Sequence, residues 1–395
     1  MDLAFSAEHE AFRDEVRAFL KKHGPNAPQG RGLGADFKEW QALLIDHGYA
    51  ARTIPREYGG FGGEPDVLKS RIISEEFTAA KVPLGLSNQG ISMLVPTLLE
   101  LGTEEQKKAY IQKTIRGDMV WCQGYSEPGS GSDLASLKTH AIEDGDDFVI
   151  NGQKIWTSTA ATADMMFCLV RTEPDAPKHK GISYLLFPMS TPGIEVRPLR
   201  TMTGNAEFNE VFFTDVRVPQ NSIVAGRGDG WMVANATLTH ERGMLGDPNQ
   251  AGTRLAQIAE LMHDETINGE RLIDNPVFRD RLLKLQGRVL AMKFNGMRNL
   301  TASATGKAAP MAKMVVKLQG TELNHDLAGF AIDVLGELGV LYDGSPHVRN
   351  AGMWQWSYMF DLGLIIGGGT SQIQKNIISE RGLQMPREPK VQKQA

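Results

Sequence analysis

The chain has 395 residues, a formal net charge of −5 and 41% hydrophobic residues, the composition of an ordinary globular protein with room for more than one packed domain. No Lys/Arg-rich run points to nucleic acid, and no stretch of about 20 uncharged apolar residues points to a membrane span. The two cysteines, Cys122 and Cys168, lack CxxC spacing or a His/Cys cluster, which argues against a disulfide framework and a zinc site and suits a reducing compartment.

The opening stretch, MDLAFSAEHEAFRDEV, carries acids where a secretion signal needs a basic start and an apolar middle, so the expectation is a cytoplasmic protein. It also reads as an amphipathic helix. Ser6 can cap it, Glu8 and Glu10 suit its positive end, and Phe12, Val16, Phe19 and Leu20 follow an i, i+4, i+7, i+8 stripe. A second helix is expected from Asp36 to His47, stopping at Gly48. A third starts at Thr103, where TEEQ has the capping-box form with Gln106 three residues on. PREYGGFGG between them is a loop.

From about residue 118 the pattern changes to period two with β-branched and aromatic residues. FVI, Asn151-Gly152 and QKIWTS predict a two-residue type I′ hairpin, and MMFCLV, ISYLLF, IEVRPL and EVFFTDVRV continue as strands. Helical periodicity returns after Gly230 and runs to about Arg381, with breaks near Pro248, Asn275-Pro276 and the glycines of LIIGGGTSQIQ. The fold class is α+β: an N-terminal helical domain over 1–117, a middle β-barrel or sandwich domain over 118–229, and a C-terminal helical domain over 230–395. The tail PREPKVQKQA is expected to be disordered, and no internal repeat is visible.

Several residues could carry chemistry. The loop YSEPGSGSD offers Ser126, Ser130 and Ser132 with glycines that let a ligand approach the backbone, but no Gly-Lys-Ser/Thr follows as in a P-loop, and no GxSxG elbow marks a serine hydrolase. Glu127 within it reads as a loop anchor hydrogen-bonded to main-chain amides. In the helix from Trp231, the residues Trp231, Ala234, Leu238 and Leu245 share a face, and Glu241 falls in the same arc. A carboxylate aimed with an apolar stripe has its pKa raised and suits a general base, although on the helix alone an ion pair with Arg242 is the better account of the position. His240 has no second ligand or nucleophile at a useful spacing. Gly367, Gly368 and Gly369 together imply unusual backbone angles or something lying very close to the main chain.

YSEPGSGSDLASLKT, NGQKIWTS, EVFFTDVRVP and GGGTSQIQKNIISERGL, in this order over nearly the whole length, make the chain resemble the acyl-CoA dehydrogenase family of flavoproteins. The resemblance implies a C-terminal four-helix bundle, FAD between the β domain and the bundle of two subunits, and a homo-oligomer, dimer or tetramer, possibly with a paralogue. It implies removal of a proton α to a thioester while hydride leaves the β carbon for flavin N5, with an acyl-CoA as substrate and an electron-transfer flavoprotein as acceptor. Gln123, Tyr125, Ser126 and Ser132 then line the flavin and the pantetheine arm, Trp156 and Ser158 lie on the flavin's other side, and Thr370 and Gln372 contact FAD.

The departures from the family pattern carry information. Gly368 stands where many members have the catalytic Glu of Tyr-Glu-Gly-Thr, whereas THER places Glu241, followed by Arg242, where isovaleryl-CoA dehydrogenase-like members carry their base. The expected base is therefore Glu241, with the Gly368 amide polarising the thioester carbonyl and the vacated wall favouring a bulky, branched or long acyl group. Asn275 replaces the usual pyrophosphate-binding Arg and Asp333 a common Gln, while Gln286 is kept and Arg279 is one turn from the missing charge. An oxidase, monooxygenase or lyase on the same fold, or a non-catalytic subunit paired with a paralogue, are the competing readings.

Overall fold

The computed structural model of the chain describes residues 5–30, 32–244, 248–306, 310–387 and 389; of residues 241–244, 248, 249 and 310 it describes the backbone. Two compact units emerge, one of Met1–Thr201 with Asn205–His240 and one of Met202–Gly204 with Glu241–Ala395.

The first unit begins with helices α1 (Ala7–His23), α2 (Ala35–Asp46), α3 (Val67–Ala79), α4 (Val95–Leu101) and α5 (Glu104–Ile115). The Ser6 side chain accepts from the His9 amide, and Phe12, Val16, Phe19 and Leu20 are the buried residues of α1. At α5 the capping box is complete: the Gln106 amide donates to Thr103 Oγ1 at 3.3 Å and the Thr103 amide to Gln106 Oε1 at 3.1 Å. Gln106 Nε2 also donates to the Ile223 carbonyl at 2.7 Å, so this cap fastens α5 to the following domain segment. Thr103→Ala removes one half of the box and is expected to cost about 1 kcal/mol. Urea unfolding followed by circular dichroism checks this, and an unchanged midpoint would remove the cap from the account. Helix α3 is not among the expected elements; its start is an N-cap at Asp66, whose carboxylate accepts from the Leu68 and Lys69 amides.

Seven strands follow: β1 (Trp121–Gly124), β2 (His140–Asp144), β3 (Asp147–Lys154), β4 (Met165–Arg171), β5 (Ile182–Pro188), β6 (Ile194–Leu199) and β7 (Phe208–Pro219). They are ordered β1-β4-β2-β3-β7-β6, with β5 paired to β4. Both faces of β4 and β5 are covered. Phe167, Leu169, Tyr184 and Leu186 join the core shared with α4, α5 and the next helix, α6 (Gly230–Met244), whereas Met166, Cys168, Leu185 and Phe187 face Phe148, Ile150, Val211 and Phe213. This is why MMFCLV is apolar throughout and ISYLLF is apolar except for the buried Ser183, instead of alternating.

One expected turn is absent. Asn151 and Gly152 lie inside β3, where the register against β7 shifts between Ile150 and Gly152. Gly152 is a glycine for contact rather than for turning, because a Cβ there would meet Thr139 Cα at 2.7 Å. The hairpin joining β2 to β3 turns instead at Gly145-Asp146, with Gly145 at φ 64°.

The second unit contains α7 (Pro248–Asp264), the strands β8 (Thr266–Ile267) and β9 (Glu270–Arg271), α8 (Pro276–Ala304), α9 (Pro310–Leu335), α10 (Met353–Ile366) and α11 (Ser371–Ile377). An Asn-Gly turn does occur here: Asn268 and Gly269, at φ 53° and 82°, link β8 to β9 as the type I′ preference requires. Helices α7 to α10 pack around Ile258, Met262, Leu323, Leu327, Phe330 and Trp354. Thus helical, β and helical segments follow one another as expected. Of the tail, 386, 387 and 389 have neither helix nor strand, and the remaining residues lie outside those described.

Candidate active site

In the first unit, the loop after β1 and the end of β3 are tied to each other. The Ile155 amide donates to the Ser126 carbonyl at 2.9 Å, and Lys154 Nζ donates to the Tyr125 carbonyl at 3.1 Å and to Glu127 Oε1 at 2.9 Å. Lys154 is fully buried and Glu127 nearly so. The Glu127 carboxylate also accepts from the amides of Lys138 at 2.6 Å and Thr139 at 2.8 Å, which is the anchoring role expected for it. Burial works against its charge, but Lys154 and these hydrogen bonds outweigh that and hold the carboxyl below the usual range. Tyr125 and Ser126 are thereby held against the end of β3, directly before Trp156 and Ser158 in the chain, while Gln123 lies on β1 opposite Phe167.

No motif marks Lys154 in the sequence; its signal is that it continues the inward-facing positions of Phe148 and Ile150 along β3, where an ammonium needs a buried partner.

Beyond Lys154 the backbone does something unusual. Trp156 adopts φ 61° and leaves its indole 58% exposed, edge-on to Phe208 at a 6.0 Å ring separation. A bulky residue in the left-handed region is a strained choice that persists only where its surroundings impose it. Here the neighbour Thr157 is clamped: its amide and carbonyl pair with the Asn209 main chain at 3.0 and 3.1 Å, and Asn209 Nδ2 adds a bond of 2.9 Å to the Thr157 carbonyl. Two buried acceptors at this spot, Thr157 Oγ1 and Asn209 Oδ1, have no hydrogen-bond partner among the described residues. Ser132 is exposed, and at Gly129 and Gly131 a Cβ would meet nothing within 4 Å, so the loop tip is open to a ligand.

Tyr125 is 5% exposed and packs edge-on against Phe167 and Tyr184. Helix α6 presents Val233, Ala234 and Thr237 to the same core. Thr237 Oγ1 donates to the Val233 carbonyl at 3.0 Å and meets Thr97 Oγ1 at 3.1 Å. Position 241 follows Thr237 by four residues on this helix, one turn further along its stripe. The side chains of Glu241 and Arg242, and all of Leu245, lie outside what is described.

The second unit holds the glycine turn. Gly367 continues from α10, its amide donating to the Gly363 carbonyl at 2.8 Å, and Gly368 and Gly369 then take φ 64° and 93°. These positive angles are why glycine is needed at both positions. The Gly368 carbonyl accepts from Gln374 Nε2 at 2.9 Å. The Gly368 amide has no acceptor among the described residues. Thr370 caps α11, its Oγ1 accepting from the Ile373 amide, which leaves its hydroxyl proton to donate elsewhere. Gln372 is exposed.

The replaced residues have local roles. Asn275 caps α8, accepting from the Val277 and Phe278 amides, and Asp333 pairs with Arg281 at 2.5 Å. Arg279 and Gln286, seven residues apart on one face of α8, are both exposed.

Comparison with known proteins decides the family. Family models match residues 6–118 (acyl-CoA dehydrogenase, N-terminal domain), 122–216 (middle domain) and 228–383 (C-terminal domain). The chain belongs to the acyl-CoA dehydrogenase family. Among its relatives, the acyl-CoA dehydrogenase IpdE1 of Mycobacterium tuberculosis is 38% identical over 394 residues, covering 96% of this chain and 99% of the relative. Solved acyl-CoA dehydrogenase structures similar to it include the Tcur3481-Tcur3483 steroid ACAD, with a TM-score of 0.81, 30% identity and coverage of 98% of this chain and 100% of that one. Another is the ChsE4-ChsE5 complex from Mycobacterium tuberculosis, with a TM-score of 0.80, 31% identity and the same coverage.

Acyl-CoA dehydrogenases are in general FAD-dependent oxidoreductases of lipid metabolism. The residues of this chain fit such a group. An exposed indole held in place from behind, an open glycine loop and unpartnered buried acceptors beside them are what a flat, polar-edged ring system needs. No group of His, Cys, Asp or Glu that could hold a metal ion occurs among the described residues, and no helix there is long and apolar enough to cross a membrane.

Proposed function

We propose that this acyl-CoA dehydrogenase binds FAD and desaturates the α,β bond of a CoA thioester carrying a bulky, branched or long acyl group, with Glu241 as the base. The observation that carries the reading is the pairing of a bare, positive-φ glycine at 368 with a carboxylate at 241 on the apolar stripe of α6. The first of these cannot abstract a proton and the second can. FAD, when bound, supplies the acceptor for the β-hydride.

The chain's own residues do the remainder. Glu241 takes the α proton as the carbon becomes acidic, and the Gly368 amide donates to the thioester oxygen where negative charge accumulates. Arg242 and Ser132 contact the acyl-CoA. Gln123, Tyr125, Ser126, Trp156, Ser158, Thr370 and Gln372 hold the flavin, with Arg279 and Gln286 toward its pyrophosphate and adenine half. The steroid ACAD among the similar structures supports a polycyclic acyl group in particular. The setting is cytoplasmic, with an electron-transfer flavoprotein as acceptor.

The protein assembles as a dimer or tetramer. Supporting this, Tyr358, Leu362 and Ile366 form an exposed i, i+4, i+8 stripe on α10, and Leu283, Leu290 and Phe294 a second on α8. Commitment of Asn275 to a helix cap and of Asp333 to Arg281 favours a paralogue as the other subunit, in keeping with the two-chain ChsE4-ChsE5 complex. Anaerobic titration of the purified protein, alone and co-purified with such a paralogue, tests the whole reading against a panel of straight-chain, branched and polycyclic acyl-CoAs. Bleaching of oxidised flavin by a bulky thioester is the expected result. Absence of flavin in both preparations, or no bleaching by any thioester, would overturn it.

A further inference from the structure

The glycine turn is held from behind by a cation. Lys317, on α9, is 2% exposed, and its Nζ donates to the Ile365 carbonyl at 2.9 Å and to the Gly369 carbonyl at 2.7 Å. These two carbonyls bracket the turn, one in the last helical residues of α10 and the other just before the α11 cap. Four residues upstream of Ile365, Asp361 is fully buried and receives Arg254 from α7 at 2.7 Å. A half-buried cation from α7 and a buried one from α9 therefore pin the end of α10 where the chain reverses.

We propose that Lys317 is a positioning residue for the reaction, setting the direction in which the Gly368 N–H points. Glycines at φ 64° and 93° have many alternative conformations of similar energy, so the turn does not define its own geometry. With the Gly367 amide bound to the Gly363 carbonyl and the Gly368 carbonyl bound to Gln374, the peptide planes before and after the one that carries the free Gly368 amide are set, and one ammonium on the carbonyls of 365 and 369 fixes the two ends of the turn. Hydrogen bonds from a charged donor are the stronger kind, and burial keeps water from competing for them. The positive charge also lies behind the turn that faces the developing thioester oxyanion.

This inference rests on Gly368 being the donor to the thioester. The test uses FAD-loaded protein and octanoyl-CoA carrying ¹³C at the thioester carbonyl, in a Glu241→Gln background so that the thioester stays unreacted. The infrared carbonyl band is compared with Lys317 present and in Lys317→Met. With Lys317 the bound band is expected at lower frequency than for free octanoyl-CoA; in Lys317→Met that shift shrinks, while FAD content and octanoyl-CoA Kd stay within about twofold. In the Glu241 protein, Lys317→Met is expected to slow flavin reduction by about 10²-fold, the loss typical of an ångström-scale misplacement. A full band shift and an unchanged reduction rate in Lys317→Met would overturn the role of Lys317. No shift even with Lys317 present would instead remove Gly368 as donor, and with it both readings. Should Lys317→Met not fold, Lys317→Gln serves in its place, since its amide is polar but one bond shorter and uncharged, so it does not span both carbonyls as the ammonium does, and the same two results decide.

Discussion

Flavin reduction by a bound acyl-CoA is expected to fall by about 10³ to 10⁴-fold in Glu241→Gln, with FAD retained and the thioester still bound. The amide has nearly the shape of the carboxylate but cannot accept the α proton, so it removes the base without opening a cavity. Because the proton moves in the transition state and contributes little to binding the ground state, kcat and kcat/KM should drop together while the Kd for acyl-CoA changes little. Stopped-flow absorbance of the oxidised flavin under anaerobic conditions measures this directly. A reduction rate within tenfold of the parent protein would mean that another group takes the proton, and Gly368 could not be that group.

The second large effect is on stability. Lys154→Met is expected to destabilise the protein by about 3 kcal/mol, because it leaves the buried Glu127 carboxylate without its only described cationic partner. The two main-chain amides that Glu127 accepts from keep the loss near the lower end of the range for broken buried pairs. The same pair sets a pH dependence. The folded protein holds the Glu127 carboxyl below its ordinary value of 4.5, so the stability it contributes is complete above that value and is lost as pH falls through the lower folded-state value. The melting temperature should therefore decline on acidification below about pH 4.5, and decline less steeply in Glu127→Gln, which starts from a lower value. Calorimetric scans between pH 3 and 7 compare them; parallel curves, or a Lys154→Met protein as stable as the parent, would show that the pair is not what holds this loop.

Much of the architecture was readable because its signals are local. Ser6 and the Thr103 to Gln106 box mark helix starts with hydrogen bonds that span three residues, and the apolar runs of β4 and β5, broken only by the buried Ser183, announce strands covered on both faces. The Asn-Gly pair shows the limit of such reading. The same dipeptide turns the chain between β8 and β9 but runs straight through β3, because at Gly152 the crowding by Thr139, a tertiary contact, decides the conformation. Site residues divide the same way. Trp156, Ser126 and Gly368 stand in motifs and Lys154 shows itself only as a cation at an inward-facing strand position, whereas Lys317 is visible only once distant carbonyls have been gathered around it.

The double coverage of β4 has a consequence for how the molecule opens. Strand β1 pairs with β4 along its whole length, from Trp121 opposite Met165 to Gly124 opposite Cys168, and β4 is buried through Val170. Amide protons there should exchange with solvent only when the domain unfolds as a whole, while those at Gly129 and Gly131 exchange through small local excursions. The ligand loop is thus rooted in the slowest-opening part of the chain and becomes adaptable within a few residues. Its tip can rearrange around a bound ligand without drawing on the stability of the strands that carry it.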